Sequence, residues 1–337
     1  MLDPRTSRPA GNIMNQAHEA PSTKHDAPRT IALSTAWNAL RHTSGKKMAG
    51  EILKLGFDTL ELSVHVTPAM AEEVLAMAGR NRLRICGLHN YCPLPEGIER
   101  EKAAGNNLAL SSTDEDERAR AVAQTKETIE WAARLGAPAV VLHLGMVPVR
   151  IRQREALTHI GAGNRDQGRA IVTEDLMERG TIRGPYVDSV IRSLRDLAPR
   201  AVELGVKLGL ETRYYYTEIP SLDEFMMIFR NVQSPALGYW HDTGHAHVME
   251  TLGIATQDDF LTKYGDRLIG IHLHDAVGGS DHRAIGHGNV DFEKVLSHAK
   301  PDTQLVLEIH GQASASDIIK SRERILKYTQ IAREGES

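Results

Sequence analysis

The feature that most constrains this chain is an alternation of short apolar runs with helix-like stretches. Eight runs stand out: Ile31-Ala-Leu-Ser34, Thr59-Leu-Glu-Leu-Ser63, Leu83 to His89, Ala139 to His143, Lys207 to Glu211, Ala236 to Trp240, Leu268 to His272 and Gln304 to Ile309. Runs of this length, separated mostly by helices, predict parallel strands with helical crossovers. An open doubly wound sheet shares that pattern. The tie is broken by polar residues at or just past the strand ends from the third strand onwards: His89, His143, Glu211, Asp242, His272 and Glu308. A closed (β/α)8 TIM barrel gathers all its strand ends on one catalytic face. Neither a GxGxxG nor a GxxxxGK[ST] pattern is present to suggest a phosphate-cradling loop. The expectation is one α/β barrel domain over residues 31–333.

Between the strands, local signals place helices and one interruption. Ser112 and Glu115 have the spacing of a capping box, as do Ser221 and Glu224. Val187 to Leu204 is amphipathic, with Val187, Val190, Ile191, Leu194 and Leu197 on one face. The polar stretch from Met146 to Pro185, after the fourth strand, reads as an inserted loop or lid with a short helix near Glu174 to Glu178. It carries Arg150, Arg152, Arg154, Arg165, Arg169, Arg179 and Arg183. Their forked donors suit a carboxylate or phosphate, but a solvated lid or subunit-contact arm would carry such charge as well. Strand periodicity puts Gly87, Gly209 and Gly270 on the same face as His89, Glu211 and His272. A glycine there either leaves room for a ligand or lets a large neighbour fill the barrel.

Composition bounds the partners. The 337 residues are 41% hydrophobic and 25% charged with net charge -4, so no basic excess advertises nucleic acid or an anionic membrane. Cys86 and Cys92 make neither a disulfide framework nor a zinc motif, which favours a reducing compartment. Residues 1–30 are polar and proline-rich without an apolar core, and are expected as a disordered tail rather than a signal peptide. No run is long enough to cross a membrane. A cytoplasmic location is expected.

The chemistry concentrates in Gly238-Tyr-Trp-His-Asp242-Thr-Gly-His245-Ala and Ile271-His272-Leu-His274-Asp275. Asp242 and His245 converge if a strand turns into a helix between them, and Gly244 would allow that turn. Carboxylate and imidazole together make a metal-ligand grouping. Glu211 and Glu308 follow apolar runs, where a charge needs a partner or a metal. A histidine such as His89 or His143 can instead simply hydrogen-bond a loop.

These motifs, with Gly56-Phe-Asp-Thr-Leu-Glu-Leu62, Leu210-Glu211-Thr and Ile285-Gly-His-Gly-Asn-Val-Asp-Phe292, resemble the xylose isomerase-like TIM-barrel superfamily. The branch is that of sugar phosphate isomerases and epimerases, related to the endonuclease IV group. The resemblance implies one divalent ion (Mn, Mg, Co or Zn) on Glu211, Asp242, His272 and Glu308. It implies that the two glutamates move a proton at the carbon next to a carbonyl of a ketose, with His245 on a substrate oxygen and Arg213 helping to hold the substrate. Endonuclease IV relatives bind three metals, and their extra ligands correspond to His89, His143, His245 and His282. The aspartate that pattern requires falls on Ser280, with Asp281 displaced by one. That displacement counts against a full third site, while a second metal near His89, His143 and Glu211 is left open.

Alternatives stay open beside the isomerase or epimerase. They are a lyase or dehydratase on a keto-inositol or 3-keto-glycoside, an endonuclease IV-like phosphodiesterase, and a non-catalytic sugar-binding barrel. His274, where the family usually has Lys or Asn, implies a substrate contact or support of a ligand. Trp37, Tyr91 and Trp240 could wall a sugar pocket or serve as core. The Tyr214-Tyr-Tyr216 run could offer a hydroxyl to substrate. Members of this group often form homo-oligomers.

Overall fold

The computed structural model describes residues 29–78 and 83–334. All but the end of the expected N-terminal tail lies outside the described residues. In chain order the first elements are β1 (Ile31–Ser34), α1 (Gly45–Lys54), β2 (Thr59–Leu62), α2 (Pro68–Ala78), β3 (Arg84–His89) and α3 (Glu115–Leu135). Then come β4 (Ala139–Leu142), α4 (Gln153–Gly161), α5 (Arg165–Ile182), α6 (Gly184–Leu204), β5 (Lys207–Glu211) and α7 (Leu222–Asn231). The chain continues through β6 (Leu237–Asp242), α8 (Thr243–Thr251), α9 (Gln257–Tyr264), β7 (Leu268–Leu273), β8 (Asp275–Val277) and β9 (Ser280–Arg283). It ends with α10 (Phe292–Ser297), β10 (Gln304–Leu307) and α11 (Ala315–Glu334). Parallel pairing closes a barrel in the order β1-β10-β7-β6-β5-β4-β3-β2, while β8 and β9 form a separate antiparallel hairpin just past β7. The expected TIM barrel is the observed one.

Strand alternation sorts the barrel into an inside and an outside. Ala32, Cys86, Ala139, Val141, Trp240 and Val306 form the inner cluster. Val141, Trp240 and Val306 each lie two residues before His143, Asp242 and Glu308, so these polar side chains sit one layer above the plug. A Cβ on Gly209 would come within 2.8 Å of the Trp240 ring, and one on Gly270 within 2.2 Å. Those glycines therefore make room for a large neighbour rather than for a ligand. Trp240 is fully buried. It floors the site beneath Glu211 and His272 instead of walling a substrate pocket.

Local expectations fare unevenly. The Ser221–Glu224 capping box forms at the start of α7. At α3 the cap is Asp114, whose side chain accepts the Glu117 N–H at 2.9 Å, while Ser112 Oγ donates to Glu117 Oε2 at 2.7 Å. The inserted segment is not a loop, because it folds into α4 and α5. Its arginines brace it: Arg152 pairs with Asp175 at 2.5 Å and Glu174 at 2.9 Å, and Arg183 pairs with Asp223 at 2.9 Å. Buried Arg179 holds both oxygens of Glu224 at 2.7 and 2.8 Å. Polar composition hid these helices because Arg152, Arg179 and Arg183 find their carboxylates within the insertion or on α7.

Candidate metal centre

Four strands adjacent in the barrel, β5, β6, β7 and β10, deliver Glu211, Asp242, His272 and Glu308 to one point. His272 Nδ1 lies 2.7 Å from Glu211 Oε1, 3.0 Å from Glu308 Oε2 and 3.7 Å from Asp242 Oδ2. Burial lowers the pKa of this imidazole, yet Glu308, Glu61 and Glu211 raise it well above its ordinary value. A proton on Nδ1 thus supplies the positive charge that three buried carboxylates demand. A divalent cation meets the same demand with more charge, and three carboxylates with one imidazole suit Mn, Mg, Co or Zn. The donor set fits such an ion.

Asp242 does a second job. Its Oδ1 accepts the His245 N–H at 2.7 Å and so caps α8, which starts directly at the end of β6. Gly244 is needed here for closeness rather than for a left-handed turn, since a Cβ there would lie 2.1 Å from His274 Cε1.

Two further groups flank this one: His89, His143 and Glu211 on one side, and Asp242, His245, His274 and His282 on the other. Whether a histidine can bind a metal depends on where its second nitrogen finds its partner. His272 passes, because Nε2 lies 2.8 Å from Glu61 Oε2 and donates to it, freeing Nδ1. His245 passes, with Nδ1 donating to the Thr212 carbonyl at 2.9 Å. His89 passes, with Nδ1 at 3.2 Å from the Asn90 carbonyl. His274 does not. Its Nδ1 accepts the His282 N–H at 2.8 Å, so Nε2 keeps the proton and donates to Asp242 Oδ2 at 3.0 Å. His274 steadies Asp242; it has no nitrogen to spare for a metal or a substrate.

Asp281, rather than Ser280, faces the imidazoles. Its Oδ2 lies 3.0 Å from His282 Nδ1 and 3.6 Å from His245 Nε2. His282 adopts φ 50°, which breaks the strand alternation and turns neighbouring side chains 281 and 282 toward one place. Burial lowers the His282 pKa, but Asp281 and Glu308 carry it up to about 10. His245, Asp281 and His282 therefore form a compact polar set beside the four-residue group, in which a protonated His282 pairs with Asp281.

The remaining candidates have other partners. Arg213 is buried against Glu211 and lies 3.1 Å from Glu218 Oε1, so its two terminal nitrogens are engaged by neighbouring side chains, while Nε is buried without a partner. Tyr91 is buried and donates to the Leu108 carbonyl at 2.7 Å. Trp37 is buried and donates to the Ala313 carbonyl at 2.9 Å. Tyr214 does reach the site: its ring centroid is 5.9 Å from that of His245, and its hydroxyl donates to the Gly279 carbonyl at 2.7 Å. It also lines a cavity of about 600 Å³ with Gln153, Arg154, Leu157 and Tyr215.

Sequence reasoning missed Glu61 and Glu218. Glu61 is fully buried beneath His272, with Oε1 lacking any hydrogen-bond partner. The signal was a lone carboxylate inside the four-residue apolar run of β2.

Residues 50–327 match the family model described as xylose isomerase-like TIM barrel. The chain belongs to that family. Among curated relatives of this xylose isomerase-like barrel, the uncharacterized protein y4fM of Sinorhizobium fredii is 26% identical over 171 residues, spanning 50% of this chain and 45% of y4fM. The uncharacterized protein MJ1311 of Methanocaldococcus jannaschii is 26% identical over 234 residues, 68% of this chain and 69% of that protein. A D-tagatose 3-epimerase-like protein shares the fold with TM-score 0.67 at 20% identity, covering 91% of this chain and 100% of the other. An IOLI protein with a bound zinc atom does so with TM-score 0.63 at 15% identity, covering 90% and 99%. Among the described residues no helix is long and apolar enough to cross a membrane.

Proposed function

We propose that this protein is a divalent-metal-dependent isomerase or epimerase that moves a proton at the carbon next to the carbonyl of a ketose or related keto-sugar. The observation that carries this reading is the pairing of Glu211 and Glu308. They come from β5 and β10, on either side of β6 and β7, and converge on one imidazole nitrogen at 2.7 and 3.0 Å. Two carboxylates facing one point can remove a proton from one face of a carbon and return it on the other. Glu211, Asp242, His272 and Glu308 would hold the ion, which when bound polarises the substrate oxygens beside that carbon.

The rest of the work belongs to the side chains. Burial raises the pKa of Glu211, but Arg213, His143 and His272 hold it well below its usual range, so the carboxylate stays ionised. Asp242 is kept ionised against burial by His245 and His274. His245, with Nε2 open, is placed to meet a substrate oxygen. The apolar floor of Trp240 excludes water from below. A carbohydrate substrate is also in keeping with the D-tagatose 3-epimerase-like protein among the fold relatives.

The test is exchange of solvent deuterium into a panel of ketoses and 3-keto-glycosides by metal-loaded protein. Glu308→Gln should lower turnover by about 10²–10⁴-fold, the usual contribution of a general acid or base, while ligand binding persists. Release of a leaving group instead of exchange would turn the assignment to a lyase on the same carbon. The absence of both reactions across the panel would sink it.

A further inference from the structure

We infer that Arg213 takes the place of a metal ion in the His89–His143–Glu211 group, so that this group stays metal-free while the four-residue group carries the ion. This inference rests on the proposed metal site and specifies which neighbouring ligands belong to it.

The guanidinium lies within hydrogen-bond reach of the group. Arg213 Nη1 donates to Glu211 Oε2, Nη2 lies 2.8 Å from His143 Nδ1, and Nη2 donates to Glu218 Oε1 at 3.1 Å. A guanidinium has donors and no acceptor, so His143 Nδ1 must be the acceptor. The proton of the neutral imidazole then sits on Nε2, which lies 2.9 Å from Glu211 Oε2 and donates to it. Nε2 is the nitrogen that faces Glu211, and in this tautomer it has no lone pair to offer a metal. The arrangement is the reverse of that at His272, where Glu61 accepts from Nε2 and frees Nδ1.

Charge gives the same answer. Arg213 is 6% exposed and is anchored by two buried carboxylates, Glu211 and Glu218. Its charge is permanent at any working pH. A divalent ion between His89, His143 and Glu211 would sit against that guanidinium in a site sheltered from water, where repulsion between like charges is strong. The arginine thus neutralises the outer oxygen of Glu211 and leaves Oε1 to the neighbouring group. It also fixes the carboxylate's orientation, which makes it a positioning residue.

The experiment is metal content by elemental analysis after equilibration with zinc or manganese and gel filtration. The wild type is compared with His89→Ala, His143→Ala, Asp242→Ala and Arg213→Met. Anomalous scattering from zinc-loaded crystals locates the ion. His89→Ala and His143→Ala should keep the wild-type content, and Arg213→Met should gain an additional ion at the vacated place. Loss of an ion in His89→Ala, or an anomalous peak between His89 and His143 in the wild type, would overturn the inference even if Arg213→Met fails to fold. Asp242→Ala separates the two ideas. Unchanged content there would defeat the four-residue site, while the His89 arm still decides the role of Arg213.

Discussion

Glu61 shows how one fully buried side chain bears on a candidate metal site. It is fully buried and its Oε2 receives the Nε2 proton of His272 at 2.8 Å. Carboxylate–histidine pairs of this kind fix the tautomer and raise the basicity of the ligating nitrogen, and removing the carboxylate costs about 10–100-fold in metal affinity. Glu61→Ala should therefore weaken zinc binding by that factor in a chelator competition. Glu61→Gln, whose amide oxygen can still accept the proton, should lose less. Equal affinity in Glu61→Ala and wild type, at unchanged thermal stability, would show that His272 needs no such partner. Residue by residue, the ends of strands were legible because a charge after an apolar run has few bland explanations; Glu211, Asp242, His272 and Glu308 stand out that way beside His89 and His143, and only the family resemblance groups the four. Trp37, Tyr91 and Trp240 were not sorted, since a sequence shows that an aromatic is apolar but not which way it points.

At the scale of elements, the inserted α4–α5 pair is the clearest departure from expectation. Its length suggested an irregular loop or lid, whereas it is helical, with Arg152 paired inside it and Arg179 and Arg183 paired to α7. Asp175 accepts from the Tyr216 hydroxyl at 2.5 Å and from the Arg152 backbone N–H at 3.1 Å, so one carboxylate ties α5 to the start of α4 and to the loop after β5. Burial raises its pKa, but Tyr216 and Arg152 outweigh that and hold it below the ordinary 3.8. For a depressed carboxyl group the stabilisation is fully present above the unfolded value and is lost as pH falls through the folded one. Asp175→Asn should accordingly lower the urea midpoint at pH 7, and its deficit against wild type should shrink as the solution is taken well below pH 3.8. A deficit that is constant with pH would mean the carboxylate's charge contributes nothing. The β8–β9 hairpin was equally hidden, because its turn at Gly278, with φ 56°, carries Asp281 and His282 back to the site by backbone geometry that no periodicity encodes.

For the whole molecule, barrel closure and metal binding are linked through the same strands. Glu211, Asp242, His272 and Glu308 belong to half of the barrel's staves, in the unbroken order β5-β6-β7-β10. Without an ion, three buried carboxylates there share one imidazolium, whose charge offsets their mutual repulsion. An ion that binds only this folded arrangement must stabilise it by mass action, by about 2.7 kcal/mol at a free concentration of a hundred times the dissociation constant. Chelation should therefore lower the melting temperature, readdition of zinc or manganese should restore it, and the rise should grow with metal concentration. Asp242→Asn should flatten that response, because it removes a ligand charge while keeping an oxygen to cap α8. His89→Ala should leave the response intact, since Arg213 already supplies the cation on that side. A melting temperature indifferent to metal in the wild type would mean that the four strands are held together by hydrogen bonding and packing alone, with the carboxylates satisfied by His272.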